Sequence, residues 1–308
     1  MTAALRSVLV PGNLDGVHRG HRALLQVARR LAAPKGLRVV ALFFFPHPAH
    51  LLRPGEAGPP LTTAARRVEL LRAAGAEEVA VERFDATLAS SAPEAFVAEV
   101  LQARWGVEHL VCGPDFRFGR DRAGDATLLE RLLGADRVHV QAALREGDRA
   151  ISSSWVREAL AEGDVALATR LLGRFPEVEG RVVAGERRAR RLGFPTANLR
   201  TEPVVRPADG VYAAWVRLLD RAESSVRPAA VALGARPTFE GSPPSFEVHL
   251  PGFDGDLYGE RLRVAFVARL RAQRRFDGEA ALREAMAADV REALRRLQQA
   301  SEDAGRWV

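Results

Sequence analysis

Apolar runs and helical periods alternate through the first half of the chain. SVLVPG predicts a strand, and from about His18 to Ala33 the apolar residues fall at helical spacing. LRVVALFFF predicts a buried strand, TTAARRVELLRAAG a helix, EEVAVERF a strand, PEAFVAEVLQARWG a helix and EHLVCG a strand; helix ATLLERLLGA and strand RVHVQAAL follow. Near-continuous apolar strands that alternate with helices predict an α/β domain with a parallel sheet covered on both faces.

After SSSWVREALAEGDVALATRLLGR the pattern changes. From Pro176 the helical period gives way to short strands separated by Gly and Pro turns: EVEGRVVA, TANLRT, GVYAAWVRL, PAAVALGA, SFEVHLPGF and RLRVAFVARL. That spacing predicts a small antiparallel β-barrel. The last segment, DGEAALREAMAADVREALRRLQQ, predicts one amphipathic helix with Leu282, Met286, Val290, Leu294 and Leu297 along a face, read as a packing stripe. Two domains are expected, residues 1–173 and 174–308, with the boundary near Gly173–Pro176.

The length of 308 residues agrees with two domains, and 47% hydrophobic residues suffice for two cores. No run of eighteen apolar residues occurs, and MTAALRSVLVPG lacks the charged start and long apolar stretch of a secretory leader, so no membrane partner is expected. A single cysteine, Cys112, forms no internal disulfide and fits a reducing cytoplasm. The net charge of +6 invites an anionic partner. Yet all but one of the 45 basic residues are arginine, the exception being Lys35, and they are spread along the whole chain. With 6% aromatics and no basic–aromatic alternation, the charge reads as a composition bias and no nucleic-acid partner is expected. Nothing in the sequence signals an oligomeric state.

Depletion gives a sharper signal. Asparagine occurs only at Asn13 and Asn198, in the turns PGNLDG and GFPTANL. Near the first of these, His18, Arg19, His21 and Arg22 crowd a helix start that already carries about half a positive charge. Gly12, Gly16 and Gly20 let backbone approach a ligand, and a strand–glycine loop–helix start is an anion cradle at the carboxyl end of a strand. A second helix start, ISSSWVREAL, offers Ser152, Ser153 and Ser154 with Arg157, which suits a phosphate chain; ordinary serine capping is the other reading. His18 and His21 have a spacing that zinc could use, but a third ligand and the glutamate of the HExxH pattern are missing. Two structural histidines are a further reading, disfavoured by the adjacent arginines.

These residues carry a family resemblance. GNLDGVHRGH resembles the GNFDGVHRGH signature of the adenylyltransferase half of bifunctional riboflavin kinase/FAD synthetases of the prokaryotic type. The likeness continues through FFFPHP, LTTAARRVELL, VCGPDFRFGRDRAGD, ISSSWVREAL, RRLGFPTANL, LGARPTF, FEVHLPGFDGDLYGERLRV and ARLRAQRRF. It implies a Rossmann-like nucleotidyltransferase domain in which the FMN phosphate attacks the α-phosphorus of ATP to give FAD and pyrophosphate. By match to the motifs, His18 and His21 hold the triphosphate and act in catalysis. Gly12, Asn13, Asp15, Gly16, Ser152, Ser153 and Arg157 bind ATP phosphates, and His47, Asp115, Phe116 and Phe118, with Arg117, lie near the flavin. The sequence departs from the pattern at Leu14, Ser154, Trp155, and at Phe43 and Phe45, none of which is a charged phosphate ligand.

The same resemblance makes the barrel a riboflavin kinase with a C-terminal helix. It implies Gly185 and Arg190 in a flap over the nucleotide, Thr196 and Asn198 on Mg2+, Glu247 as general base, and Arg271 and Phe276 beside the flavin. Ala189, Ala232 and Gln273 stand where the family has glycine, asparagine and glutamate; Ala189 predicts slower flap closure, because alanine lacks glycine's access to positive φ. Cofactor and ligand expectations are therefore Mg2+, ATP as substrate, riboflavin, FMN and FAD. The rival readings are an FMN adenylyltransferase with a weakened barrel, a nucleotidyltransferase using CTP, and a nucleic-acid-binding protein.

Overall fold

The computed structural model describes residues 6–53, 55, 58–185, 188–221, 226–234 and 245–300. The chain divides into two compact units, Met1–Ser153 and Ser154–Val308. Among the described residues no helix is long and apolar enough to cross a membrane.

The first unit is built on five parallel strands: β1 (Ser7–Pro11), β2 (Arg38–Phe45), β3 (Glu78–Arg83), β4 (Val107–Cys112) and β5 (Val138–Val140). Their order is β3-β2-β1-β4-β5. The chain winds outward from β1 through β2 to β3, then returns to the other side of β1 for β4 and β5. The reversal falls between β1 and β4, so their carboxyl ends open the crevice where an open α/β sheet holds a ligand. The strands are apolar because helices shield them: Leu9, Val40, Leu42 and Leu110 are buried with Leu101 and Leu129. The connecting helices are α1 (Arg19–Ala32), α2 (Pro48–Leu52), α3 (Ala64–Ala73), α4 (Ala86–Ser90), α5 (Pro93–Ala95), which runs on as a π-helix over Phe96–Arg104, and α6 (Ala126–Leu133). RVHVQAAL supplies a strand of only three residues, followed by a small hairpin, β6 (Arg145–Glu146) and β7 (Arg149–Ala150), that the apolar pattern does not reveal.

Helices α7 (Ser153–Glu162) and α8 (Val165–Leu172) follow. In the second unit they abut the barrel, where the Ala208 amide donates to the Leu160 carbonyl at 2.8 Å and Arg269 donates to the Glu162 carbonyl at 3.1 Å. The barrel strands are β8 (Glu177–Val183), β9 (Thr196–Thr201), β10 (Gly210–Leu218), β11 (Val226–Gly234), β12 (Ser245–His249) and β13 (Arg261–Arg271), with the short helix α9 (Arg188–Arg191) between β8 and β9. They close in the order β10-β11-β12-β9-β8-β13. Period-two alternation sends Tyr212, Phe246, Val248 and Phe266 to the buried interior. The opposite face of β10 and β11 packs under α10 (Glu279–Ala300), where Ala213 and Ala230 meet Ala293 and Leu297. The predicted stripe on α10 splits. Leu297 packs in the core and Leu294 is 39% exposed, while Leu282, Met286 and Val290 line a cavity of about 360 Å3.

Candidate active sites of the two units

In the first unit, the loop from Gly12 to His18 leaves the carboxyl end of β1 and enters α1. Leu14 and Val17 have φ of 50° and 43°, and Gly16 has 77°. A β-branched residue at positive φ is a strained arrangement that persists only where surrounding contacts hold it. Those contacts are visible. The Asp15 carboxylate, 2% exposed, accepts from the Leu61 amide (2.9 Å), the Thr62 amide and hydroxyl (both 3.3 Å) and the Arg67 guanidinium (2.6 Å). Arg67 also donates to the Asn13 carbonyl at 2.9 Å and lies 4.9 Å over the Phe43 ring. Thus Asp15 belongs to the expected loop, but its carboxylate faces α3 and the strand of chain before it. Arg67 was not singled out by sequence reasoning. The signal was there: Arg66 and Arg67 share the buried side of α3 with Leu70 and Leu71.

His18 is the N-cap of α1, its Nδ1 accepting from the His21 amide at 3.4 Å, and the two imidazoles stack with centroids 3.6 Å apart. A Cβ at Gly20 would stand 3.0 Å from the His18 ring, so glycine lets that ring lie flat over the first turn. Part of the positive crowd is answered within the protein, since Arg19 pairs with Glu146 of the β6–β7 hairpin at 2.7 Å. The Ser153 hydroxyl donates to the Asp15 carbonyl at 2.8 Å, so the first residue of α7 is seated on the loop that precedes α1. Ser152 precedes it; Arg157 lies one turn further along α7, in the second unit.

The residues expected beside the flavin sit on loops at carboxyl ends of strands. His47 follows β2 and caps α2, its Nδ1 accepting from the Ala49 amide at 3.1 Å. Asp115, Phe116 and Phe118 follow β4; Asp115 is exposed, Phe118 is buried, and the two phenyl rings lie 5.6 Å apart. These loops follow β1, β2 and β4, which are neighbours in the sheet.

In the second unit the candidate residues occupy two rows of opposed strand positions. Ala232 on β11 faces Glu247 on β12, which faces Asn198 on β9; in the next row Ala230, His249 and Thr196 stand opposite one another. Directly opposed residues share a sheet face. This face is the one covered by α10, and Thr196, Asn198, Glu247 and His249 all line the cavity with Met286. Glu247 is therefore half-buried, not the solvated outer position that strand alternation alone would suggest. The Thr196 hydroxyl donates to Glu247 Oε2 at 3.3 Å, which leaves the hydroxyl oxygen's lone pairs facing elsewhere. A Cβ on Gly185 would collide with the Asn198 side-chain amide, so glycine lets the backbone at residue 185 pass close to that amide.

At the other cavity wall Arg271 forms a two-pronged pair with Asp289 of α10, Nε–Oδ1 2.9 Å and Nη2–Oδ2 2.7 Å, and lies 5.3 Å over the Phe276 ring. Arg274 covers the same ring at 4.9 Å. Gln273, one of the departures, donates to the Leu233 carbonyl at 3.1 Å and ties the end of β11. Ala189 lies in α9, where its carbonyl accepts from the amides of Leu192 and Phe194. Arg190 is in the same helix, and its side chain lies outside the described residues, as does the RPTF part of LGARPTF.

Comparison with known proteins agrees with this layout. Residues 2–155 match the family described as FAD synthetase, and residues 172–297 match riboflavin kinase. The chain is 39% identical over 272 residues to the bifunctional riboflavin kinase/FMN adenylyltransferase of Escherichia coli K12, covering 87% of this chain and 86% of the relative. It is 34% identical over 296 residues to the enzyme of the same name from Bacillus subtilis 168, covering 94% and 92%. A crystal structure described as a macrolide-efflux protein from Streptococcus pneumoniae superposes with a TM-score of 0.85 at 31% identity, covering 94% of each chain. With both halves matched in order and near full-length relatives above 30% identity, the chain belongs to the bifunctional riboflavin kinase/FMN adenylyltransferase family.

Proposed function

We propose that the chain converts riboflavin to FAD in two ATP-dependent steps, one in each of the domains 1–173 and 174–308. It is a riboflavin kinase and an FMN adenylyltransferase. The observation that carries the reading is that one chain holds both the strained histidine loop at the β1 carboxyl end and the Asn198–Glu247 row under α10.

In the kinase step the ribityl 5′-hydroxyl oxygen attacks the γ-phosphorus of ATP and ADP leaves. Glu247 takes the hydroxyl proton as the O–P bond forms. Mg2+ fits the residues present. Thr196, Asn198 and Glu247 offer hard oxygen donors, and Gly185 keeps clear the space that a Cβ would fill against Asn198. Thr196 and Asn198 would hold the ion, which when bound neutralises charge on the β- and γ-phosphates. Arg271, fixed by Asp289, and Phe276 form the flavin side of the cavity; Gly185 and Arg190 belong to the segment that would serve as the nucleotide flap.

In the second step a phosphate oxygen of FMN attacks the α-phosphorus of ATP and pyrophosphate departs. No group is transferred to the protein, so its part is positioning and charge stabilisation. His18 and His21, with the backbone around Gly12, Asn13 and Gly16, contact the triphosphate; Ser152 and Ser153 contribute from the start of α7. Asp15 acts by holding the loop through Arg67 and Thr62. His47, Asp115, Phe116 and Phe118 receive FMN. The setting is the cytoplasm.

The test is a time course with the purified chain, riboflavin, ATP and Mg2+. FMN appears first and FAD follows; with FMN supplied directly, replacing ATP by CTP abolishes FAD formation. Conversion of FMN without conversion of riboflavin would leave only the adenylyltransferase.

A further inference from the structure

We propose that His249 is a positioning residue of the kinase site, setting Thr196 in place by binding the carbonyl of Pro195. The inference rests on the kinase reading above. β9 begins at Thr196 and β12 ends at His249, and these two residues face each other as the last pair of the ladder. Continuing the ladder would fall to Pro195, which has no N–H to donate. Its carbonyl instead meets His249 Nδ1 at 2.8 Å. A carbonyl oxygen only accepts, so Nδ1 carries the hydrogen, and it does so in the neutral and the protonated ring alike. The ring is held on its other side by Phe194, edge to face at 5.5 Å. The GFP turn is thereby fastened to β12 immediately before Thr196, whose hydroxyl must stand within reach of both Glu247, 3.3 Å away, and the metal. Displacements of about 1 Å at a reacting centre are costly, on the order of a hundredfold in rate.

The experiment compares His249→Asn, His249→Gln and His249→Ala in the full chain. Asparagine places an amide N–H where Nδ1 stands; glutamine is closer to histidine in bulk but places its amide further out. FMN formation is measured against Mg2+ and riboflavin concentration, with FMN-to-FAD conversion by the same molecules and thermal unfolding as controls. The expected result is that His249→Asn stays within about threefold of the parent, whereas His249→Gln and His249→Ala raise the Mg2+ requirement and lower kcat by roughly tenfold, with the KM for riboflavin little changed. If His249→Gln performs as well as His249→Asn, the bond to Pro195 is not what matters and the inference is overturned. If His249→Ala matches the parent, it is overturned as well. Should the alanine variant unfold, the Asn–Gln comparison decides. A parent chain that makes no FMN would instead remove the kinase reading itself.

Discussion

Asp15 and Arg67 face each other at 2.6 Å with both side chains almost wholly buried, 2% and 4% exposed. They join the strained loop after β1 to the start of α3. Removing one partner leaves a buried charge uncompensated, a loss of about 3–5 kcal/mol, whereas replacing both with apolar or neutral groups of similar size costs far less. Arg67→Ala is therefore expected to destabilise the first unit by that amount and to abolish FAD formation. The double variant Asp15→Asn, Arg67→Met should recover much of the stability but not the activity. Denaturant unfolding with both assays checks this; equal stability losses in the single and double variants would count against it.

His21 sits in the first turn of α1, with its ring stacked on His18. His21→Ala should lower FAD formation about a hundredfold or more, as loss of a charge-stabilising donor does, while FMN formation from riboflavin stays at the parent level. A parallel fall in both activities would mean that the substitution acts on folding.

Gly185 has the opposite signature. An added methyl group collides with the Asn198 amide, so Gly185→Ala displaces a proposed metal ligand. FMN formation is expected to drop at least tenfold, FAD formation from supplied FMN to be unchanged, and excess Mg2+ to restore part of the loss. Unchanged riboflavin kinetics would show that the loop accommodates the methyl group.

At the far edge of the first sheet Lys35 donates to His109 Nε2 at 2.8 Å, and His109 Nδ1 lies 3.3 Å from His139 Nε2. The ammonium has no acceptor capacity, so Nε2 of His109 is bare and its Nδ1–H points at His139. Burial, and then the Lys35 charge, hold both imidazoles below their ordinary pKa, with Glu108 pulling His109 and Asp136 pulling His139 weakly the other way. A lowered folded-state pKa means that the unfolded chain binds protons first as pH falls. Stability is therefore full above about pH 6.5 and declines below it, by at most about 1.4 kcal/mol per pH unit for each histidine. Lys35→Met should raise both histidine pKa values and flatten the decline. NMR titration of the imidazoles and urea unfolding between pH 5 and 8 measure it; identical curves for parent and variant would refute it.

Much of the fold was legible because each element obeys a local rule. The alternation of apolar strands and helices foretold the parallel sheet, and period-two strands between Gly and Pro turns foretold the barrel. The hairpin at 145–150 was hidden because a pair of two-residue strands carries no period. The α10 stripe was legible as a face, but not what it faced: Met286 and Val290 line a cavity while Leu294 meets solvent.

The sequence by itself determined the two-part architecture and the positions of the candidate chemistry, since hydrophobic period and motif spacing are properties of neighbouring residues. Only the tertiary structure decided which groups meet. Asp15 turns to Arg67 across 52 residues, Arg19 to Glu146 across 127, and His249 to Pro195 across 54. Such partners are chosen by strand order, register and burial, which bring distant side chains into a low-dielectric interior where each polar group must find a specific counterpart.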